Sequence, residues 1–188
     1  MYCVACGAAL DGPPPVRCAR CGAAHWDDAK PCAGAAVVHD GQLLLVRRRR
    51  NPWRGCWDVP GGFCERGEHP MCTAVRELAE EAGLAVEITG FLGIWPDDYV
   101  DAAGVTKGTI NIYYHAVPRR GATVPGAVDE DEVSEIRWFA PAELPLAEEL
   151  AFPGHLVPML AAWRGAVQAA EVQTPLRDMP PELRTPAT

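Results

Sequence analysis

The sequence predicts an α/β fold, a mixed sheet covered by helices on its faces, preceded by a small cysteine-stapled module. Three observations carry this reading. Strand-like and helix-like stretches alternate irregularly from Gly34 onward, with a hairpin signal at the front. Two CxxCG units fall within the first 30 residues. Hydrophobic residues make up 48% of the chain, enough to build the core of one ordinary domain.

Residues 1–30 read as a separate module. Cys3, Cys6, Cys18 and Cys21 supply two CxxCG knuckles joined by a loop containing Pro13, Pro14 and Pro15. So short a piece buries little apolar surface and needs a staple. The N-terminus lacks the basic flank and apolar run of a signal peptide, and no apolar run approaches the length of a membrane span. A cytoplasmic setting is therefore expected, and in a reducing compartment paired cysteines point to metal before disulfides. Four thiolates at this spacing suit a closed tetrahedral Zn²⁺ site of structural character. His25, four residues after Cys21, is a weaker alternative ligand. Cys32, Cys56, Cys64 and Cys72 lack paired spacing and are expected to pack as small apolar residues.

A domain over residues 31–170 follows. AAVVHDGQLLLVR reads as two strands around an Asp40-Gly41 turn. CWDVP is a short strand leading to Gly61-Gly62. A helix is expected from about 70 to 82, opened by Pro70 and closed by Gly83 with Leu84 folding back. LAVEITGFLGIW, GTINIYYHAV and VSEIRWF are further strands. Pro141 is expected to open a short helix through Leu150, and HLVPMLAAWRGAVQAA a last helix interrupted or kinked near Pro158. Residues 171–188 are Pro-rich and polar and are expected to be disordered.

The segment GGFCERGEHPMCTAVRELAEEAGL, residues 61–84, holds five glutamates and two arginines but no lysine or aspartate. On the expected helix, Met71, Val75, Leu78, Ala79 and Ala82 share an apolar face, with Glu77, Glu80 and Glu81 opposite. Like charges at this spacing cost roughly 0.2–0.5 kcal/mol per pair. Arg76 can offset part of the charge by pairing with Glu80. A solvated acidic face and an oxygen-rich site for a hard cation such as Mg²⁺ both remain open on spacing alone. The glycine pair upstream favours the site, because it lets peptide groups approach the acidic face.

This segment resembles the Nudix box: Gly, five residues, Glu, seven residues, Arg-Glu, an aliphatic, any residue, Glu-Glu, any residue, Gly, aliphatic. Gly62, Glu68, Arg76, Glu77, Leu78, Glu80, Glu81, Gly83 and Leu84 fill all nine defined positions over 23 residues. The resemblance implies an α/β/α sandwich on a mixed sheet. It also implies a Mg²⁺- or Mn²⁺-dependent hydrolase that splits a nucleoside-linked diphosphate with a metal-activated water. Glu77, Glu80 and Glu81, helped by the Gly62 carbonyl, would bind metal. Arg76 would orient them, and Glu68 would hold the loop-helix geometry or reach metal through water. Family members place the general base either in the box or in a later loop. In VDEDEVSEIRWF the candidates are Glu130, Glu132 and Glu135, with Glu132 preferred and a solvated acidic loop as the competing reading.

Some members, among them NADH pyrophosphatases and a group active on ADP-ribose or FAD, carry a zinc ribbon like the one expected here. The NADH enzymes follow the box with Ser-Gln-Pro-Trp-Pro-Phe-Pro. This chain departs from that pattern with FLGIWPDDYVDAAG, and its ribbon leading through HWDDAKP is more similar to the ADP-ribose/FAD group.

The expected partner is a phosphorylated nucleoside small molecule. The net charge of −8 argues against broad nucleic-acid binding, and a homodimer is compatible with the sequence. In the run Arg47 to Arg50, Arg48 and Arg50 share a face and are candidates for substrate phosphates, against a solvated role. Trp53, Trp57, Trp95 and Tyr99 could stack on a base or isoalloxazine ring, with core packing as the competing role, and Trp57 stands beside the box as a substrate-binding candidate. A sanitation-type (d)NTP pyrophosphohydrolase and a non-catalytic ligand-sensing or nucleic-acid- or protein-binding module are the alternative functions.

Overall fold

The fold is described from a computed structural model of the chain, over residues 1–101, 104–122 and 131–169. In the N-terminal module, β1 (Val16–Arg17) pairs antiparallel with β2 (Ala24–His25). Each cysteine knuckle is closed by its glycine: the Gly7 amide donates to the Cys3 carbonyl and the Gly22 amide to the Cys18 carbonyl, both at 2.8 Å.

Seven strands form the main sheet. β3 (Lys30–His39) turns at Asp40-Gly41 into β4 (Gln42–Arg48). β5 (Trp57–Asp58) and β6 (Gly61–Phe63) precede α1 (Pro70–Ala82). β7 (Val86–Val100), β8 (Thr106–Pro118) and β9 (Val133–Phe139) follow, and α2 (Pro153–Ala169) closes the described part. The order is β5-β4-β3-β8-β7, with β6 added to β3 and β9 to β4. β3 runs parallel to β8 while the other pairs are antiparallel, so the sheet is mixed.

Side-chain alternation along the strands divides the core in two. Ala33, Ala35, Val37, Leu44 and Tyr114 face α1, packing on Met71, Ala74, Leu78 and Ala82. Ala36, Leu43, Leu45, Trp57, Tyr113 and Phe139 face α2, packing on Leu156, Met159 and Trp163. The result is the α/β/α sandwich expected. The run Leu43–Leu44–Leu45 is buried on both faces, which is why it reads as continuous apolar sequence rather than alternation. Truncating fully buried Leu78 to alanine would cost about 2–5 kcal/mol.

α1 begins behind His69, whose Nδ1 accepts from the Met71 amide at 3.2 Å, with Pro70 at the first turn. It ends at Gly83 in the left-handed region, φ 61°. There the Gly83 amide donates to Ala79 O and the Leu84 amide to Leu78 O, the fold-back expected at a helix C-terminus.

Three local expectations need correction. The buried stripe of α1 is Met71, Thr73, Ala74, Leu78 and Ala82, and Ala79 is exposed. The glutamates stand away from that stripe, and β6 lies over part of their side, where the Gly61 amide donates to Glu81 while Glu80 stays exposed. The helix expected from Pro141 is only a 3-10 turn at Ala147–Glu149, since Pro145 biases the residue before it away from helical backbone. α2 runs unbroken through Pro158, whose ring is exposed on the solvent side. The tail 171–188 lies outside the described residues.

Candidate active site

Arg76 is the hub of the acidic segment. Its Nε and Nη2 donate to the two oxygens of Glu68, each at 3.0 Å. Its Nη1 donates to Glu77 Oε1 at 2.8 Å and to Glu80 Oε2 at 2.9 Å. A planar guanidinium can hold one carboxylate bidentately while reaching two more, which a lysine could not. Glu68 also accepts from the Thr73 hydroxyl at 2.8 Å and from the Glu65 amide at 3.0 Å. These bonds, the one from Arg76 foremost, hold the Glu68 carboxyl down to about 2. Glu68 is thus a strut between the loop and the helix.

Glu81 has a different environment. It is half-buried beside the carboxylates of Asp58 and Glu77, and its Oε2 accepts a bond from the Gly61 amide at 3.2 Å. Burial, and then the charge on Asp58 and Glu77, pushes its carboxyl well above the ordinary range. Burial likewise raises Glu77, partly offset by Arg76. Asp58 is raised by burial against the pull of Arg48, whose Nη1 donates to it at 2.9 Å. Buried Asp58 and half-buried Glu77 and Glu81 are close enough for Asp58 and Glu77 to act on Glu81, and they offer oxygen donors of the kind a hard divalent cation takes, with their compensating cations on the periphery. Gly62 belongs to the same geometry: a side chain added there would run into the Glu77 carboxylate, its Cβ 2.6 Å from Cδ. Glu80 is 55% exposed and turned onto Arg76, so it stands at the rim.

The later-loop candidate Glu132 faces this centre. With Arg48, Arg50, Asp58 and Glu81 it lines a polar recess, and its charge is felt by both Glu77 and Glu81. Arg50 lies 3.7 Å from Glu132 and 3.3 Å from Asp131. Glu135 is paired with Arg47 at 3.4 Å, on the outside of β4 and β9. Glu130 lies outside the described residues. Trp57 is placed in the core against Phe139, ring centroids 4.9 Å apart, and is not among the residues lining the cleft.

A cleft of about 560 Å³ opens from Gly61-Gly62 and Asp58 along the α2 face of the sheet. Arg48 forms part of its wall, with its guanidinium 5.0 Å from the Phe152 ring centre. Four rings stack in series, Tyr99 on Phe152, Phe152 on His155 and His155 on Tyr113, with centroids 5.8–5.9 Å apart. Phe152 and Trp53 both have left-handed backbone, φ 44° and 66°, and their rings meet edge-on at 6.2 Å. Such backbone costs on the order of 1–3 kcal/mol per residue and clusters at ligand-binding surfaces. Beneath the rings, His155 bridges two polar groups, with Nδ1 2.8 Å from Asp97 Oδ2 and Nε2 3.0 Å from the Tyr113 hydroxyl.

Of these cleft residues, sequence reading found Arg48 and named Tyr99. It missed Asp58, Asp97, Phe152 and His155. Asp58 had a signal, an acid inside the apolar CWDVP. The contact of His155 with Asp97 spans 58 residues of chain and leaves no local pattern.

In the N-terminal module the Sγ atoms of Cys3, Cys6, Cys18 and Cys21 all lie within 4.8 Å of one another. A closed four-thiol set of this size fits Zn²⁺, and nothing in it offers an open position for chemistry. His25 does not join the cluster but sets Nε2 3.3 Å from Cys3 Sγ, the place of a hydrogen-bonding neighbour rather than a ligand.

A family model for the NUDIX domain matches residues 29–160. The chain belongs to the Nudix hydrolase family. Over 180 residues it is 28% identical to the NAD-capped RNA hydrolase NudC of Pseudomonas aeruginosa, an alignment covering 93% of this chain and 59% of that one. Over 68 residues it is 40% identical to an ADP-ribose pyrophosphatase of Methanocaldococcus jannaschii, covering 36% of this chain and 40% of the relative. The chain therefore spans well under two thirds of either relative. Among solved structures, a MutT Nudix hydrolase from Burkholderia pseudomallei aligns with a TM-score of 0.57 at 30% identity, covering 72% of this chain and 98% of that one. In this Nudix chain, Gly62 of the box lines the cleft and Glu81 the adjoining polar recess. No described helix is long and apolar enough to cross a membrane.

Proposed function

We propose that the protein hydrolyses the diphosphate bond of a nucleoside diphosphate derivative of the ADP-ribose, FAD or NADH class, using Mg²⁺ or Mn²⁺. The observation that carries this reading is that the polar recess holding Glu81 and Glu132 and the aromatic-lined cleft adjoin, sharing Arg48, Asp58 and Tyr99. A diphosphate suits the acidic end only with cations present, and a ring system suits the aromatic end. Divalent cations, when bound, would neutralise the diphosphate and lower the pKa of a water.

The chain's own residues have separable tasks. Glu77, Glu80 and Glu81, with the Gly62 carbonyl, would hold the ions. Arg76 orients the first two glutamates through Nη1. Arg48 and Arg50 stand at the phosphate end, where their charge favours an anionic substrate. Glu132, in the same recess as Glu81, is placed to accept a proton from a water attacking phosphorus. Relatives named as ADP-ribose pyrophosphatase and NAD-capped RNA hydrolase support a dinucleotide-type diphosphate over a triphosphate. The four thiols of the ribbon would hold one structural Zn²⁺.

The test is a panel of ADP-ribose, FAD, NADH, NAD-capped RNA, diadenosine polyphosphates and (d)NTPs, assayed with Mg²⁺ or Mn²⁺. Turnover of a dinucleotide-type diphosphate into two monophosphates is expected. Preferential release of pyrophosphate from a (d)NTP would move the assignment to the sanitation class, and turnover of none would remove the enzymatic reading.

A further inference from the structure

The floor of the cleft contains a polar residue whose orientation is fixed by chemistry. Asn111 is 94% buried, at 6% exposure, and lies on β8 with Thr109 and Tyr113 on the same face. Its Nδ2 donates to the Trp95 carbonyl at 3.2 Å and to Thr109 Oγ1 at 3.0 Å. Thr109 in turn donates its hydroxyl proton to the Asp97 carbonyl at 3.0 Å. Both backbone carbonyls can only accept, so the amide cannot flip without setting oxygen against oxygen. Both N–H groups of Asn111 are thereby spent. What remains toward the cleft is the carbonyl oxygen Oδ1, an acceptor for which no partner is recorded among the described residues.

The strand register locates that acceptor relative to the box. Phe63, Cys32, Asn111 and Trp95 stand side by side on β6, β3, β8 and β7. Asn111 is therefore two strands from Phe63, about 10 Å at ordinary strand spacing. The Tyr99 and Phe152 rings line the same cleft. A ligand whose phosphate end lies by Gly62 would extend across the strands toward this amide.

We propose that Asn111 is a specificity-determining residue whose Oδ1 reads an N–H donor on the ring of the bound nucleotide. The ligand class is a planar ring carrying an exocyclic amine or a carboxamide, held against the aromatic wall. An acceptor that a bound ring covers discriminates strongly, because an analogue without the donor leaves it desolvated and unpaired. This inference rests on the proposed function for the position of the phosphate, but its test needs no turnover.

The test measures equilibrium binding of four monophosphates that hold no scissile bond. One pair is AMP and purine riboside 5′-monophosphate, which lacks the 6-amino group. The other is nicotinamide mononucleotide and nicotinic acid mononucleotide, in which a carboxylate replaces the amide. The amine- or amide-bearing member of at least one pair is expected to bind about ten-fold or more tightly than its analogue. The pair that shows the preference identifies the ring. In Asn111→Leu the preference is expected to shrink to within about two-fold. Equal affinities within both pairs, no binding of any of the four, or a preference that survives Asn111→Leu would overturn the proposal. Should that variant fail to unfold cooperatively, the wild-type pairs decide alone on the same criterion.

Discussion

Glu81 accepts a hydrogen bond from the Gly61 amide at 3.2 Å, and this bond ties the last turn of α1 to the glycine strand that opens the cleft. The carboxyl so placed is half-buried next to Asp58 and Glu77 and is raised well above the usual range. A cation ligand must be ionised, so wherever pH leaves the raised carboxyl protonated, binding has to expel that proton. Mn²⁺ binding is therefore expected to release protons and to tighten as pH rises, levelling off once the metal-free carboxyl is ionised. Calorimetric titration in buffers of different ionisation enthalpy reads the proton count directly. A raised acid also stabilises the metal-free fold most at low pH, and that contribution is lost as pH rises through the folded value. Mn²⁺ affinity and proton release that do not change from acid to neutral pH would contradict the placement of Glu81.

Glu68 behaves in the opposite sense. Its carboxyl is held down to about 2 by Arg76, against an ordinary value of 4.5. Its stabilising effect is present above pH 4.5 and is lost as pH falls toward 2. Glu68→Gln should lower the Tm near neutral pH, and the gap to wild type should close as both are acidified. A gap that is constant with pH would mean that packing, not charge, explains the residue.

Gly62→Ala tests the close approach of the strand to the box. The added carbon meets the Glu77 carboxylate, so either the side chain leaves Arg76 or the strand shifts. Misplacement of reacting groups by about 1 Å can cost about 100-fold in rate. The variant should lose activity of that order, with its Mn²⁺ affinity reduced. Unchanged affinity and turnover would show that Glu77 has freedom the geometry denies it.

The ribbon makes a compositional prediction. Elemental analysis should find about one zinc per chain, bound by Cys3, Cys6, Cys18 and Cys21. Cys18→Ser should lose the zinc and lower the Tm of the N-terminal module. A zinc-free wild-type protein would leave the four thiols without their expected ion.

The fold was legible where the signals were local. Pro70 and Gly83 bracket α1 to the residue, and Asp40-Gly41 marks the first hairpin, because caps and turns are set by backbone chemistry close in sequence. The nine-position box located the acidic centre for the same reason. Helix periodicity alone misjudged its surroundings. It placed Ala79 inside and left the glutamates open between a solvated face and a metal site, since nothing in residues 70–82 records that β6 covers one flank of the helix. Trp57 illustrates the same limit, as an aromatic beside the box that the pairing with Phe139 draws into the core. His155, Asp97 and Tyr113 come from α2, β7 and β8, and only the closed sandwich brings them together.

The central claim is that the buried carboxylate cluster, loaded with divalent cations, splits a nucleoside-linked diphosphate. The most direct measurement compares wild type with Glu81→Gln on ADP-ribose, NADH and FAD, following monophosphate formation by phosphorus NMR with and without Mn²⁺. Gln keeps the shape and removes the charge, so the Tm should hold while the rate falls by about 100- to 1,000-fold or more. Wild-type turnover should vanish on chelation. Full activity in Glu81→Gln, or wild-type turnover indifferent to the cation, would contradict the account.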